Sequence, residues 1–279
     1  MPSASLPDRA LILISGPDAE HFLQNILTTD LDALKSGEAK PGALLASQGK
    51  ILFDFLISRT GTDGFRLDCR ADIADDFVRR LMLYRLRAKA EISKQEQVVV
   101  IVEWQSDSGA SQADSTASEN DSTVVDTRFA PPARVMRHYG NVAPAEDDIA
   151  GWHAFRAAQG IAESGADYTL GDAFPHDVLL DQTGGVGFKK GCYIGQEVVS
   201  RMQHRGTARR RVLIAAAERH LPPAGTEILA NGRAVGVLGS VAGITGMAIA
   251  RIDRVKEAMD AGMPLEADGV PLTLANPAF

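Results

Sequence analysis

The sequence predicts an α+β protein of more than one domain, and three observations predict it. A chain of 279 residues, 45% hydrophobic and 23% charged, exceeds what one ordinary core needs. Strand-like runs and helical stripes are mixed through the first 160 residues. The last 70 residues read as short strands separated by Gly, Pro and Asn turns, the pattern of a small barrel or sandwich.

Residues 11–15 (LILIS) are a short apolar strand; Gly16-Pro17-Asp18 turns the chain, and Phe22, Leu23, Ile26 and Leu27 then recur at helical spacing. ALLAS and ILFDFLIS flank Gln48-Gly49-Lys50, and FRLDC follows a second glycine-bearing turn, which together predict an antiparallel meander. In DIADDFVRRLMLYRLR, Ile73, Phe77, Leu81 and Tyr84 form one stripe. Asp72, Asp75 and Asp76 open that helix and Arg85 and Arg87 close it, matching the helix dipole. The β-branched run at 96–104 predicts a strand. It is followed by small polar and acidic residues that predict a flexible loop over 105–125. DTRFAPPARVMRHYG reads as turn-rich, and DDIAGWHAFRAAQGI as a helix with Trp152 and Phe155 in the core, stopped by Gly160. Beyond it, RRVLIAAAE, TEILANG, RAVGVLGSVAG, GMAIARID and PLTLA predict the strands of an all-β domain. The expected divisions are 1–104, the loop 105–125, 126–205 and 206–279.

Composition excludes several classes. Mean hydropathy is −0.07 and no apolar run reaches the roughly 18 residues of a membrane-spanning helix. The N-terminal residues lack a basic region and a long apolar core, so cytoplasmic residence is expected. The two cysteines, Cys69 and Cys192, lie outside any CxxC pattern, which predicts free thiols in a reducing compartment and no zinc site. The six histidines are not grouped at ligand spacing, and no metal is expected.

A net charge of −7 argues against general nucleic-acid binding, but the charge is uneven. From Lys189 to Arg211 seven basic residues face one acid, Glu197, a net of +6 that leaves −13 for the rest. Such a segment is either a strand's solvated flank or an anion site. Within residues 181–211, Gly184, Gly185, Gly187, Gly191 and Gly195 allow close approach to the main chain, yet neither GxGxxG after a strand nor a terminal GK[ST] occurs. Cys192 lies near Lys189 and Lys190, whose charge would favour its thiolate; the alternative is a small buried hydrophobe, the reading adopted for Cys69. Gln196 and Glu197 offer donors and acceptors to a heterocycle edge, and Arg201 and Arg205 offer forks to carboxylates. An exposed strand with paired charges is the structural alternative.

FKKGCYIGQEVVSRMQHRG (188–206) resembles the signature of the YgfZ/GcvT family, more narrowly the YgfZ-type folate-binding proteins of iron–sulfur cluster assembly. FLQNILTTD (22–30), ALLASQGKILFDFLI (43–57), YRLRAKAEI (84–92), GIAESGAD (160–167) and FPHDVLLDQTGGVGF (174–188) extend the resemblance over nearly the whole chain. It implies a fold like the glycine-cleavage T-protein: two interleaved α+β regions and a C-terminal β-barrel, in a ring around a tetrahydrofolate pocket. It also implies that Cys192 is the functional cysteine, with Lys190, Gly191, Tyr193, Gly195, Gln196, Glu197 and Arg201 as signature residues and Asp54 at the folate-contacting aspartate. Arg205 and the basic flank would meet the glutamate tail of tetrahydrofolate or a derivative.

Two features depart from the aminomethyltransferase branch. Arg156-Ala157-Ala158-Gln159-Gly160 stands where that branch has R-x-E-x-G, so the carboxylate that anchors the pterin is replaced by Ala158. The middle region is also shorter. The expectation is therefore an accessory protein, with folate and iron–sulfur client or scaffold proteins as partners and no membrane. A tetrahydrofolate-dependent aminomethyl or methyl transferase using Asp54 is the alternative, and an RNA-contacting strip at 189–211 the least favoured, since single-strand binding wants more interleaved aromatics.

Overall fold

The computed structural model describes residues 1–96, 98–105, 122–140 and 146–278, in two compact units. The first contains Met1–Ile149 and Asp181–Gln196, the second Ala150–Leu180 and Glu197–Phe279. Most of the expected polar loop, 106–121, lies outside the described residues.

The first unit holds strands β1 (Ser3–Ser5), β2 (Arg9–Ser15), β3 (Glu38–Leu45), β4 (Ile51–Thr60), β5 (Gly64–Arg70), β6 (Glu91–Gln95), β7 (Val99–Gln105), β8 (Thr123–Asp126) and β9 (Arg134–Gly140). They form one sheet in the order β1, β7, β9, β8, β3, β4, β5, β2, β6. Helices α1 (Ala19–Gln24) and α2 (Ala74–Arg85) cover it. The meander β3–β4–β5 forms as its turns predict, and β2 pairs beyond it between β5 and β6.

Strand alternation sends Ile12, Ile14, Phe53, Phe55, Ile57, Phe65, Leu67 and Cys69 to one face, against Phe22 and Leu23 of α1 and Phe77 and Leu81 of α2. Phe77 stacks on Phe53, with ring centroids 4.6 Å apart. Burying each such side chain stabilises the unit by roughly 1.5–3 kcal/mol.

Two expectations are corrected here. RVMRHYG is not turn-rich: it is β9, in register with β7 from Val99 opposite Gly140 to Gln105 opposite Arg134. Its Arg137 is wholly buried, so the inward-facing positions are not all apolar and the alternation is masked. The polar loop also ends earlier than residue 125, because Thr123–Asp126 is β8, aligned antiparallel to β9 and parallel to β3.

The second unit contains α3 (Ile149–Ala158, beginning one residue before it), α4 (Gln196–Arg205), β10 (Arg210–Ala217), β11 (Glu227–Ala230), β12 (Arg233–Ala242), β13 (Thr245–Arg251), α5 (Ile252–Asp260), β14 (Leu265–Ala267) and β15 (Val270–Ala275). Strands β10 to β15 close into a barrel in the order β10, β13, β12, β11, β14, β15. Closure leaves no sheet edge, and Leu213, Ile228, Leu238, Ala248 and Leu272 fill the interior. The C-terminal region is not all-β: α5 packs Val255 and Ala258 on the barrel core, and two inward residues are too few to signal a helix. Trp152 is buried in α3, 6.3 Å from the Phe155 ring between centroids. Gly160, at φ +73°, ends that helix.

Candidate functional site

The signature segment 181–196 belongs to the first unit although it follows residues of the second, and long-range hydrogen bonds hold it there. Thr28 Oγ1 donates to Gly185 O at 2.7 Å, and the Gly187 amide to Thr28 O at 2.8 Å. Lys190 Nζ donates to Leu27 O at 2.8 Å and Thr29 O at 2.7 Å. These carbonyls lie just past α1, where the chain leaves the helix and its carbonyls need partners. Lys190 runs past Gly187, where a side chain would collide with the lysine stem and with Asp30. Ile194, partly buried, packs against the hydrophobic core of the first unit. Gly195, at φ +79°, rests on the β3–β4 turn so closely that a Cβ would lie 2.6 Å from Ala46 O.

Cys192 is exposed between these anchors, so the bland reading of a buried small hydrophobe applies to Cys69 alone. Burial pushes the Cys69 thiol up to about 12. Lys190 does not face outward with Cys192: it is 9% exposed and its ammonium is committed to main-chain oxygens. Burial lowers its pKa to about 8, against the opposing pull of Asp30 and Asp32. Lys190 Nζ also lies 5.5 Å from the Tyr193 ring centroid. Tyr193 is 6% exposed, its hydroxyl has no partner among the described residues, and burial raises its pKa to about 12. The Gln196 side chain reaches back to Gly191 O at 3.5 Å.

Asp54 is half-buried on β4, opposite Ala43 of β3, whose carbonyl accepts from the Thr28 amide and whose amide donates to Thr28 Oγ1. Its sheet face, opposite the apolar core, also carries Leu56 and Ser58, paired with Asp68 and Arg66 of β5. The sequence reading missed the charge cluster on this face. Arg137 of β9 donates to Asp68 Oδ2 at 2.9 Å and to Asp126 Oδ2 at 3.1 Å, with all three side chains fully buried. Asp68 also accepts from Arg9 at 2.6 Å and from the Tyr139 hydroxyl at 3.2 Å, and Arg128 grips Asp126. Arg66 lies over the Tyr139 ring at 4.5 Å.

Burial alone would raise the Asp126 carboxyl. The Arg128 guanidinium, by charge and hydrogen bonds, and then Arg137 outweigh it and hold the group at about 2. For Arg137 burial favours the neutral form, and Asp68 and Asp126 reverse it, raising its pKa. Burial, and next Asp68, raise the Tyr139 phenol. Arg137, at the buried position between Val135 and Tyr139 of β9, is the one local signal that could have found the cluster; Asp68 alternates with Phe65, Leu67 and Cys69 as a solvent-facing residue would and gives none.

Glu197, Arg201 and Arg205 lie on α4 in the second unit, all exposed. The strand alternative for this stretch is corrected: it is a helix, and Glu197 and Arg201 form an i,i+4 ion pair along it. Arg205 is exposed in the last turn beside His204. In the same unit His176 is buried, 3.1 Å from Gln203 Oε1. Arg156 is also buried; it holds Asp167 at 2.6 Å, Ser240 Oγ at 2.8 Å and Ile161 O at 3.1 Å, while Ala158 two residues on is exposed.

Residues 209–279 match the family described as CAF17, C-terminal beta-barrel domain. The chain is 28% identical to the iron-sulfur cluster assembly factor IBA57, mitochondrial, of Mus musculus, over 90% of this chain and 78% of that protein. It is 29% identical, with the same coverage, to the protein of that name from Homo sapiens. To the IBA57 homolog of Chaetomium globosum it is 30% identical over 75% of this chain, and it spans 55% of that relative's length. These relatives are named as mitochondrial, which overturns the cytoplasmic expectation: two free cysteines report reducing conditions but not which membrane encloses them. Among solved structures, glycine cleavage system aminomethyltransferase T from Bartonella henselae superposes with a TM-score of 0.76 at 16% identity, over 98% of this chain and 84% of that one. The chain thus has an α+β fold of the aminomethyltransferase T kind, with a closed C-terminal barrel, and its sequence is similar to iron–sulfur cluster assembly factors.

Proposed function

We propose that this chain assists the assembly or repair of iron–sulfur proteins, including those with four-iron clusters, using Cys192 as a working thiol and tetrahydrofolate or a derivative as ligand. The observation that carries the reading is an exposed cysteine on a segment fixed from both sides, by Lys190 on the Leu27 and Thr29 carbonyls and by Gly195 on the β3–β4 turn. Fixing the backbone around a thiol lowers the entropy lost when a partner engages it. The sequence relatives, named as iron–sulfur cluster assembly factors, supply the process. One cysteine cannot complete a cluster's usual four ligands, so Cys192 acts with thiols of a scaffold or client protein.

For folate, the Tyr193 hydroxyl is a buried polar group in need of a partner, and Asp54 is a half-buried carboxyl. Both suit the polar edge of a pterin, and Gln196 adds a side-chain amide. Gly191, with open space where its Cβ would be, leaves the main chain beside Cys192 accessible. Lys190 acts in this reading as an anchor. The transferase alternative draws on Asp54 and the shared fold, but Ala158 leaves its pterin-anchoring position without a carboxylate.

The test is deletion of the gene and its restoration as wild type, Cys192→Ala or Tyr193→Phe, with assays of aconitase, succinate dehydrogenase and an enzyme without a cluster. Selective loss of the cluster enzymes, rescued by wild type and not by Cys192→Ala, is expected. Full rescue by Cys192→Ala would remove the thiol from the mechanism. Tetrahydrofolate binding by the purified chain, weakened about tenfold or more in Tyr193→Phe, is expected by calorimetry; no binding to wild type would remove the folate.

A further inference from the structure

The C-terminal half of α2 and the turn after it carry a surface that the proposed function does not use. From Arg79 to Lys89 there are five basic residues and no acid. Met82, Leu83 and Leu86 stand among them, 42%, 64% and 84% exposed. The helix turns Phe77 and Leu81 to the core, which sends Leu83 to the opposite, solvent side. Leu86, the C-cap, is held at φ 49° and ψ −107°, a region costly for any residue with a Cβ and usual for glycine. A strained, exposed leucine beside two other exposed apolar side chains gains nothing from the fold itself.

The charges are available too. Arg79 pairs with Asp76 and Arg85 donates to Ala90 O, but the side chains of Arg80, Arg87 and Lys89 have no partner among the described residues. On a chain of net charge −7, an apolar centre rimmed by unpaired cations complements a surface that is acidic around an apolar recess. The occupant is a protein and not a membrane: the first turn of α2 exposes Asp75 and Asp76, about 12 Å or less from Leu83 along the helix, with Asp72 just before it. A flat anionic bilayer would meet both ends of the helix, whereas a bounded protein surface meets one. RNA is disfavoured because Tyr84, the patch's aromatic residue, is half-buried and the exposed side chains are aliphatic. We infer that Met82, Leu83 and Leu86, rimmed by Arg80, Arg87 and Lys89, dock a partner protein through an acidic surface with an apolar recess.

The test is site-specific photocrosslinking in cells of the source organism, with p-benzoylphenylalanine replacing Leu83 in the full chain and, as control, the exposed Val237 of the barrel. Mass spectrometry identifies the adduct, and the purified partner is titrated against wild type, Arg80→Glu/Arg87→Glu, Arg80→Gln/Arg87→Gln and Leu86→Asn. A protein adduct at Leu83 and not at Val237 is expected, through a segment of net negative charge. Its affinity should fall tenfold or more on charge reversal, and by a smaller factor with the Gln pair, with added salt and with Leu86→Asn. These exposed substitutions should leave the melting temperature unchanged, and the Gln pair serves if charge reversal perturbs it. No adduct, an adduct to lipid or RNA, or a partner indifferent to charge reversal would overturn the inference. Repeating the crosslink in Cys192→Ala separates the two proposals, because the patch makes no use of the thiol and its adduct should persist.

Discussion

Replacing Arg137 by methionine keeps much of the side-chain volume and removes the charge that joins two buried carboxylates. Asp68 then retains Arg9 and Asp126 retains Arg128, cations whose side chains are 9% and 11% exposed. Breaking a buried pair by deleting one partner costs about 3–5 kcal/mol. The surviving partners put the expected loss at the lower end, about 3 kcal/mol. The depressed carboxyl of Asp126 bounds one share of it. Held at about 2 against an ordinary 3.8, that group stabilises the fold by about 2.5 kcal/mol above the unfolded value, and Arg128 supplies more of this than Arg137. The sign follows from the depression: the contribution is complete above about pH 4 to 5 and is lost as pH falls through about 2. Arg137→Met should therefore begin its acid unfolding at higher pH than wild type.

Urea unfolding measures the loss. Trp104, 5% exposed on β7, reports on the first unit once Trp152 of the second is replaced by phenylalanine in both proteins. With a slope of about 2 kcal/mol per molar urea, the midpoint should drop by about 1.5 M. The double variant Arg137→Met/Asp68→Asn should be less destabilised than the sum of its singles by at least about 1 kcal/mol, because each single substitution already loses the same Asp68–Arg137 pair. A loss below about 1 kcal/mol with no coupling would refute the cluster as a coupled buried network.

The two thiols should differ sharply toward iodoacetamide at pH 8: Cys192 is alkylated in the native protein, while Cys69, buried and pushed up to about 12, reacts only on unfolding. A difference of less than about tenfold in rate would contradict their placement. Lys190 should give stability an alkaline dependence opposite to that of a salt-bridged lysine. Its folded pKa is lowered to about 8, so the unfolded chain binds more protons between there and about 10.5, and stability relative to Lys190→Met should rise through that window by up to about 3 kcal/mol. A flat difference between pH 8 and 10.5, measured by urea unfolding, would show that the amine is hydrated. Gly195→Ala should cost about 1–3 kcal/mol, since it adds a Cβ at φ +79° and 2.6 Å from Ala46 O; an unchanged midpoint would mean that the segment is not seated on the turn.

By itself the sequence determined the α+β class, the meander, the stripe of α2, the stop at Gly160 and the strand-rich C-terminal region, because each is written in residues a few positions apart. It also singled out residues 188–206 by their density of glycines and basic residues. Where local pattern and final environment part, the reading failed: β9 looked turn-rich because it carries Arg137, α4 had an exposed strand as its structural alternative because Val199 is the one fully buried residue among charges, and α5 was missed in a region read as all-β because it buries only Val255 and Ala258. Tertiary structure alone decided that Lys190 anchors the signature, since its acceptors are 163 and 161 positions earlier. It alone decided that Asp68 and Arg137, 69 positions apart, neutralise each other. A charge is exposed or buried, free or paired, according to what the folded chain brings beside it, and no local periodicity records that.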